Sequence, residues 1–98
     1  MKQEHFNILR KIHKGADTNQ RALAKQLGLS IGKLNYSLKA LKNKGLIKIK
    51  NFSKNNQKSK YLYYLTPKGA YEKSNATINF MKLKMKEYEE LQKELKEK

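Results

Sequence analysis

Gly32, Lys33, Asn35, Tyr36, Lys39 and Asn43 fall within twelve residues of one another, and none is acidic. These side-chain types suit the floor and walls of a DNA major groove. Lysines can meet phosphates and guanine edges, an asparagine can pair with adenine, and an aromatic ring can pack on a thymine methyl or a sugar. The stretch that must position them reads as a helix. Leu34, Leu38 and Leu41 recur at i, i+4, i+7, which is one apolar face. At about 100° per residue the opposite face carries Gly32, Tyr36, Lys39 and Asn43, flanked by Lys33 and Asn35. Ser30 is a good N-cap and a further candidate contact, and Gly45 is a good stop. A merely solvated amphipathic face would also be polar, so this helix by itself leaves the two readings even.

The charge distribution shifts the balance. The chain has 98 residues and a formal net charge of +15. Asp17 and Glu72 bracket 54 residues without an acid, and that window holds twelve Lys or Arg. The excess therefore sits on one segment, the electrostatic footprint of a polyanion binder. A lysine-rich codon bias would explain 21 Lys against 2 Arg, but not acids vanishing from one half and returning in the other. There is no Cys, hence no disulfide framework and no thiolate metal site. No apolar run approaches a membrane span, and Met1 to His5 do not open a secretory signal, so a cytoplasmic protein with no membrane partner is expected.

The elements around the reading helix follow a recognisable order. Gln3 to His13 reads as a first helix with Phe6, Leu9 and Ile12 inward, closed by Lys14-Gly15. Asp17 or Thr18 is expected to cap a second helix, Arg21 to Leu27. Gly28-Leu29-Ser30 then forms a three-residue turn, so the two helices make a helix-turn-helix. Leu46 to Phe52 alternates as a half-buried strand, Ser53 to Ser59 is a polar loop, and Lys60 to Thr66 is an aromatic return strand. Such a hairpin directly after a reading helix is a wing, and Lys54, Asn55, Lys58 and Lys60 are its candidate backbone contacts.

Thr66-Pro67 opens a last helix running toward Lys98, roughly 45 Å at about 1.5 Å per residue. It carries a heptad, with Tyr71, Ile78, Met85 and Gln92 at a, Ser74, Met81, Tyr88 and Leu95 at d, and Leu91 at g. A long apolar stripe left bare in water is seldom tolerated by a monomer, so a homodimer through this seam is expected. The expectation is a mainly α fold with a small β-hairpin wing. Residues 1–66 form a winged helix-turn-helix domain, and residues 67–98 a dimerisation helix in a dimeric coiled coil.

Leu41-x-x-x-Gly45-Leu46-Ile47, the wing, and Leu65-Thr66-Pro67-Lys68-Gly69 together resemble a short MarR-type winged helix-turn-helix regulator. With Leu29-Ser30 and the Lys33-Leu34-Asn35-Tyr36 stretch, the chain is most similar to the group associated with exopolysaccharide synthesis. The resemblance implies a cytoplasmic, dimeric transcription factor on double-stranded DNA, with the third helix in the major groove and the wing at the flanking minor groove. The link to exopolysaccharide genes comes from the resemblance only. Larger MarR proteins carry an acidic-x-Arg motif in the wing, where this chain has Gln57-Lys58-Ser59-Lys60. Any wing contact must then come from lysine, a point charge rather than a fork. They also clasp their dimer with helices at both ends and often house a phenolic ligand between them. This chain has little before its first helix, which leaves little basis for a small-molecule effector.

Enzymatic readings find no support in the residues. His5 and His13, the only histidines, lie about two turns apart and read as surface or core-edge residues. There is no phosphate loop and no nucleophile elbow, so neither catalytic residues, a cofactor nor a metal is expected. Tyr61, Tyr63 and Tyr64 read as strand packing rather than as stacking platforms for single strands. Two function classes remain: a sequence-specific regulator on duplex DNA, expected to meet an inverted repeat as a dimer, and a winged-helix interaction module for a protein or RNA partner.

Overall fold

The computed structural model describes residues 1–13, 16–51 and 61–97. The element order is α1 (Gln3–Ile12), β1 (Ala16–Thr18), α2 (Gln20–Leu27), α3 (Ile31–Asn43), β2 (Ile47–Asn51), β3 (Tyr61–Leu65) and α4 (Pro67–Lys96). This is a winged helix-turn-helix with a hairpin wing and a long C-terminal helix, as the residue pattern predicts. The expected stop at Lys14-Gly15, the expected loop from Ser53 to Ser59, and Phe52 lie outside the described residues.

One expectation fails between α1 and α2. Neither Asp17 nor Thr18 caps the second helix. Asn19 does, its Oδ1 accepting the Ala22 N–H at 2.7 Å. With the cap one residue later, Ala16–Thr18 is left extended and becomes a third strand. It pairs antiparallel with β3, Ala16 opposite Tyr63 and Thr18 opposite Tyr61. The sheet order is β1-β3-β2, so the return strand is central rather than an edge. Ile49 also lies opposite Tyr63, across β2–β3. A two-stranded hairpin is marginal in water, and the third strand is what gives the wing a base.

The core lies where the helices meet this sheet. Ile8, Leu9 and Ile12 of α1 pack with Leu23, Ala24, Leu34, Leu38, Leu41, Leu46, Ile47 and Tyr63. The three leucines of α3 are buried as expected, and Ser37 joins them on the inward face. His5 is buried on α1, while His13 is exposed. Burial pushes the His5 imidazole below its ordinary value of 6.5, and Lys44 and Lys2 push the same way.

Both helices of the helix-turn-helix end by the same device. Gly28 and Gly45 take left-handed conformations, with φ of 68° and 75°. The next residue then turns its N–H back into the helix, Leu29 to Ala24 O at 2.9 Å and Leu46 to Leu41 O at 3.0 Å. Each Gly-Leu pair thus satisfies a carbonyl that the helix end would orphan. Gly45-Leu46 is also the joint to α4. The Thr66 hydroxyl donates to Gly45 O at 2.6 Å, and its Oγ1 accepts the Gly69 N–H at 3.0 Å as the helix cap. The Thr66 N–H reaches Leu46 O at 3.1 Å. Gly69 sits so close that a Cβ there would overlap the Leu46 carbonyl oxygen. The Leu-Thr-Pro-Lys-Gly segment therefore has a physical reason. It clamps the start of α4 onto the end of α3.

Helix α4 then leaves the domain. The molecule measures 63 × 26 × 21 Å. Ala76 is buried, and Phe80 stacks on Phe6 of α1 with centroids 4.6 Å apart. Beyond that contact the helix carries its apolar residues in the open. Among the described residues, no helix is long and apolar enough to cross a membrane.

Candidate nucleic-acid interface

Helix α3 is fixed from within. The Ser30 Oγ accepts the Lys33 N–H at 3.1 Å, which starts the helix where the sequence places it. Each fully buried leucine contributes about 1.5–3 kcal/mol. The exposed Lys33–Glu4 ion pair contributes about 0–1 kcal/mol. The leucines, and not the surface charges, decide how α3 sits. What remains outward is a polar face in which Gly32, Asn35, Lys39, Lys42 and Asn43 are exposed and Tyr36 is 71% exposed.

Asn35, Tyr36 and Lys39, singled out from sequence, come together along one groove of about 420 Å³. Gln20 of α2, Lys42 of α3 and Ile49 of β2 complete its lining. The groove therefore runs between α3 and the base of the wing. A Cβ at Gly32 would meet nothing within 4 Å, so the glycine keeps the first turn of α3 low and open to close approach. The Ser30 Oγ accepts the cap bond, and the residue stays exposed. Lys33 lies on the flank of the face, its Nζ 3.1 Å from Oε1 of Glu4 on α1.

Two lysines of the wing were not singled out. Lys48 and Lys50 alternate with Ile47 and Ile49 on β2 and are exposed. Lys50 Nζ lies 5.9 Å from the centre of the Tyr64 ring, which supports it in a position facing solvent. The signal was present in the period-two alternation, which sends the isoleucines inward and the lysines out. The expected wing contacts Lys54, Asn55, Lys58 and Lys60 lie outside the described residues. From Thr18 to Tyr71 no acid offsets these cations. Among the described residues no group of His, Cys, Asp or Glu is placed to hold a metal ion.

On α4 the expected seam faces water along its length. Tyr71, Ile78, Met81, Met85, Tyr88, Leu91 and Leu95 are each more than half exposed. Gln92 Nε2 donates to the Tyr88 hydroxyl at 3.2 Å. Phe80, which the residue pattern did not single out, stacks on Phe6 of α1. Between them, Phe6, Phe80, Met81, Met85 and Tyr88 line a groove of about 580 Å³ beside the seam.

This architecture is shared with known proteins. Residues 5–48 match a family model described as winged helix-turn-helix DNA-binding. The PcaV transcriptional regulator of Streptomyces coelicolor superimposes with a TM-score of 0.72 at 15% identity, over 84% of this chain and 59% of its own. Streptococcus pneumoniae FabT, solved in complex with DNA, gives 0.66 at 21% identity, over 89% and 59%. Staphylococcus aureus MarR, solved with salicylate and kanamycin, gives 0.67 at 27% identity, over 87% and 55%. The chain thus spans less than two thirds of the length of these relatives. No curated protein matches the sequence. The fold of this chain is the winged helix-turn-helix of the MarR-type transcriptional regulators.

Proposed function

We propose that the chain is a dimeric, sequence-specific regulator of transcription that binds double-stranded DNA in the cytoplasm. Residues 1–66 are its DNA-binding domain and residues 67–98 its dimerisation helix. Helix α3 enters the major groove with Gly32, Asn35, Tyr36, Lys39 and Asn43. Lys33 and the wing lysines Lys48, Lys50, Lys54, Lys58 and Lys60, with Asn55 and Ser30, meet the backbone on either side. The observation that carries this reading is the exposed polar face of α3, which holds no acid of its own, together with the exposed lysines of β2. A protein-docking face would gain little from such an excess of cations. A polyanion gains a released counterion for nearly every contact.

The dimer is proposed on the bare seam of α4. Tyr71, Ile78, Met81, Met85, Tyr88, Leu91 and Leu95 pair with the same residues of a second copy, and Gln92 is a polar a-position that holds the register. Two copies on one support read two half-sites, so the operator is an inverted repeat. The assignment of the target to exopolysaccharide genes rests on the sequence resemblance alone. Footprinting on the DNA upstream of the protein's own gene tests the proposal. The expected result is a protected, two-fold symmetric site at nanomolar-range protein. Protection of no duplex, with retention of RNA or a protein partner instead, would replace this reading with the interaction module.

A further inference from the structure

Residues 1–71 hold only two acids, Glu4 and Asp17, against sixteen Lys and Arg. Glu4 lies in the first turn of α1 and pairs with Lys33, in the first turn of α3, at 3.1 Å. Helix α3 has no acid in its own first turn, so Glu4 brings a carboxylate to the positive end of the reading helix. Both partners remain open to water, with 62% of the Lys33 side chain and 38% of the Glu4 side chain exposed. An ion pair this exposed opens at little cost. Lys33 also lies at the edge of the polar face, where a helix seated in a major groove meets the phosphate backbone rather than the bases.

We propose that Glu4 is an internal stand-in for a DNA phosphate, holding Lys33 at the flank of the polar face until the backbone displaces it. This rests on the reading of α3 as a duplex-binding helix. Glu4 is a positioning residue that never touches the DNA itself. The exchange has a definite ionic balance. When Lys33 moves to a phosphate, one condensed cation leaves the duplex. The Glu4 carboxylate, now unpaired, returns to water as an isolated charge that is screened but condenses no cation. Salt also weakens the Glu4–Lys33 pair that must open, so this contact loses less affinity with salt than one made by an unpaired lysine. Without the carboxylate, the same contact releases about 0.9 cation.

The test is a salt titration of binding to a labelled random-sequence duplex of about 30 base pairs, from about 50 to 300 mM KCl. E4Q, K33Q and the double variant are compared with the wild type, with melting temperatures to report folding. E4Q is expected to bind about two- to fivefold more tightly at low salt. Its plot of log affinity against log salt is expected to steepen, by less than the about 0.9 of a whole phosphate contact. In the K33Q background, adding E4Q is expected to leave the slope unchanged. Salt-dependent binding by the wild type with an E4Q slope no steeper overturns the role of Glu4 and leaves duplex binding standing. The same steepening in both backgrounds overturns it equally, since Lys33 would then not be the group released. Absence of binding by every variant overturns both this inference and the reading beneath it.

Discussion

Two helices of this chain present a long face to solvent, and the faces are opposite in kind. Outward residues of α3 are mostly polar and cationic, with Ile31 and Tyr36 among them, and its leucines are all buried. Outward residues of α4 beyond Phe80 include Met81, Met85, Tyr88, Leu91 and Leu95, set among charges of both signs. The first face is complete in itself. It is stable in water and needs a partner only to act. The second is incomplete, because apolar side chains at heptad spacing have nothing to bury them in the isolated chain. The difference separates two kinds of partner, which we propose are duplex DNA for α3 and a second copy of the chain for α4. The clamp between Gly45-Leu46 and Thr66-Gly69 is what joins the two helices.

The largest effect should come from removing the second face while keeping the first. Truncation after Lys82 leaves the Phe6–Phe80 stack in place and deletes the outer half of the seam. The winged part is expected to stay folded and to sediment as a monomer. Its affinity for a two-half-site duplex should fall about 10²- to 10⁴-fold, the loss that follows when a second binding event is no longer intramolecular. Met81→Asp should act the same way by placing a charge in the seam. An undiminished dimer after truncation would move the interface to α1.

The joint comes next in magnitude. Gly69→Ala drives a Cβ into the Leu46 carbonyl, and backbone cannot yield as a flexible side chain would. Such overpacking costs about 1–3 kcal/mol. Gly32→Ala, in open space on the same fold, should instead stabilise the free protein by about 0.5–1 kcal/mol through helix propensity. Urea denaturation of the two variants checks the pair. If both changes have the same sign, the clamp is not what holds α4 to α3.

The smallest effect concerns pH. Burial, then Lys44 and Lys2, lower the affinity of folded His5 for a proton, while Glu4 opposes them. The unfolded chain therefore binds the proton more readily. Stability is at its full value above pH 6.5, the ordinary value, and is lost as pH falls below it. Urea midpoints at mildly acidic and neutral pH should differ more for the wild type than for His5→Asn. Equal differences would remove His5 from the account.

Much of this could be read from residues alone, for identifiable reasons. Ser30, Thr66 and Gly45 mark their helix ends through local backbone chemistry, which depends on few neighbours. The leucine stripe of α3 and the alternation of β2 are periodic and need no tertiary knowledge. What escaped was non-local. Strand β1 exists because β3 has a free edge, and three residues with no apolar pattern give no sign of it. The choice of Asn19 over Asp17 or Thr18 as cap leaves Ala16–Thr18 extended for that same pairing. Phe80 fits the stripe of α4 by type, and only the position of Phe6 reveals which way it turns. The pairing of Lys33 with Glu4 joins residues far apart in sequence, so Lys33 looked like a free contact.

The account turns on α3 as the element that reads sequence. The most direct measurement selects a preferred duplex from a random pool and compares its affinity with that of a scrambled duplex. The wild type is set against Asn35→Ala, Tyr36→Ala and Lys39→Ala, at one salt concentration. Each residue that makes a good base contact should lose about 1–3 kcal/mol of discrimination on substitution. Affinity for the scrambled duplex should change much less at Asn35 and Tyr36, which carry no charge. If all three variants discriminate as well as the wild type, α3 is not the reading helix.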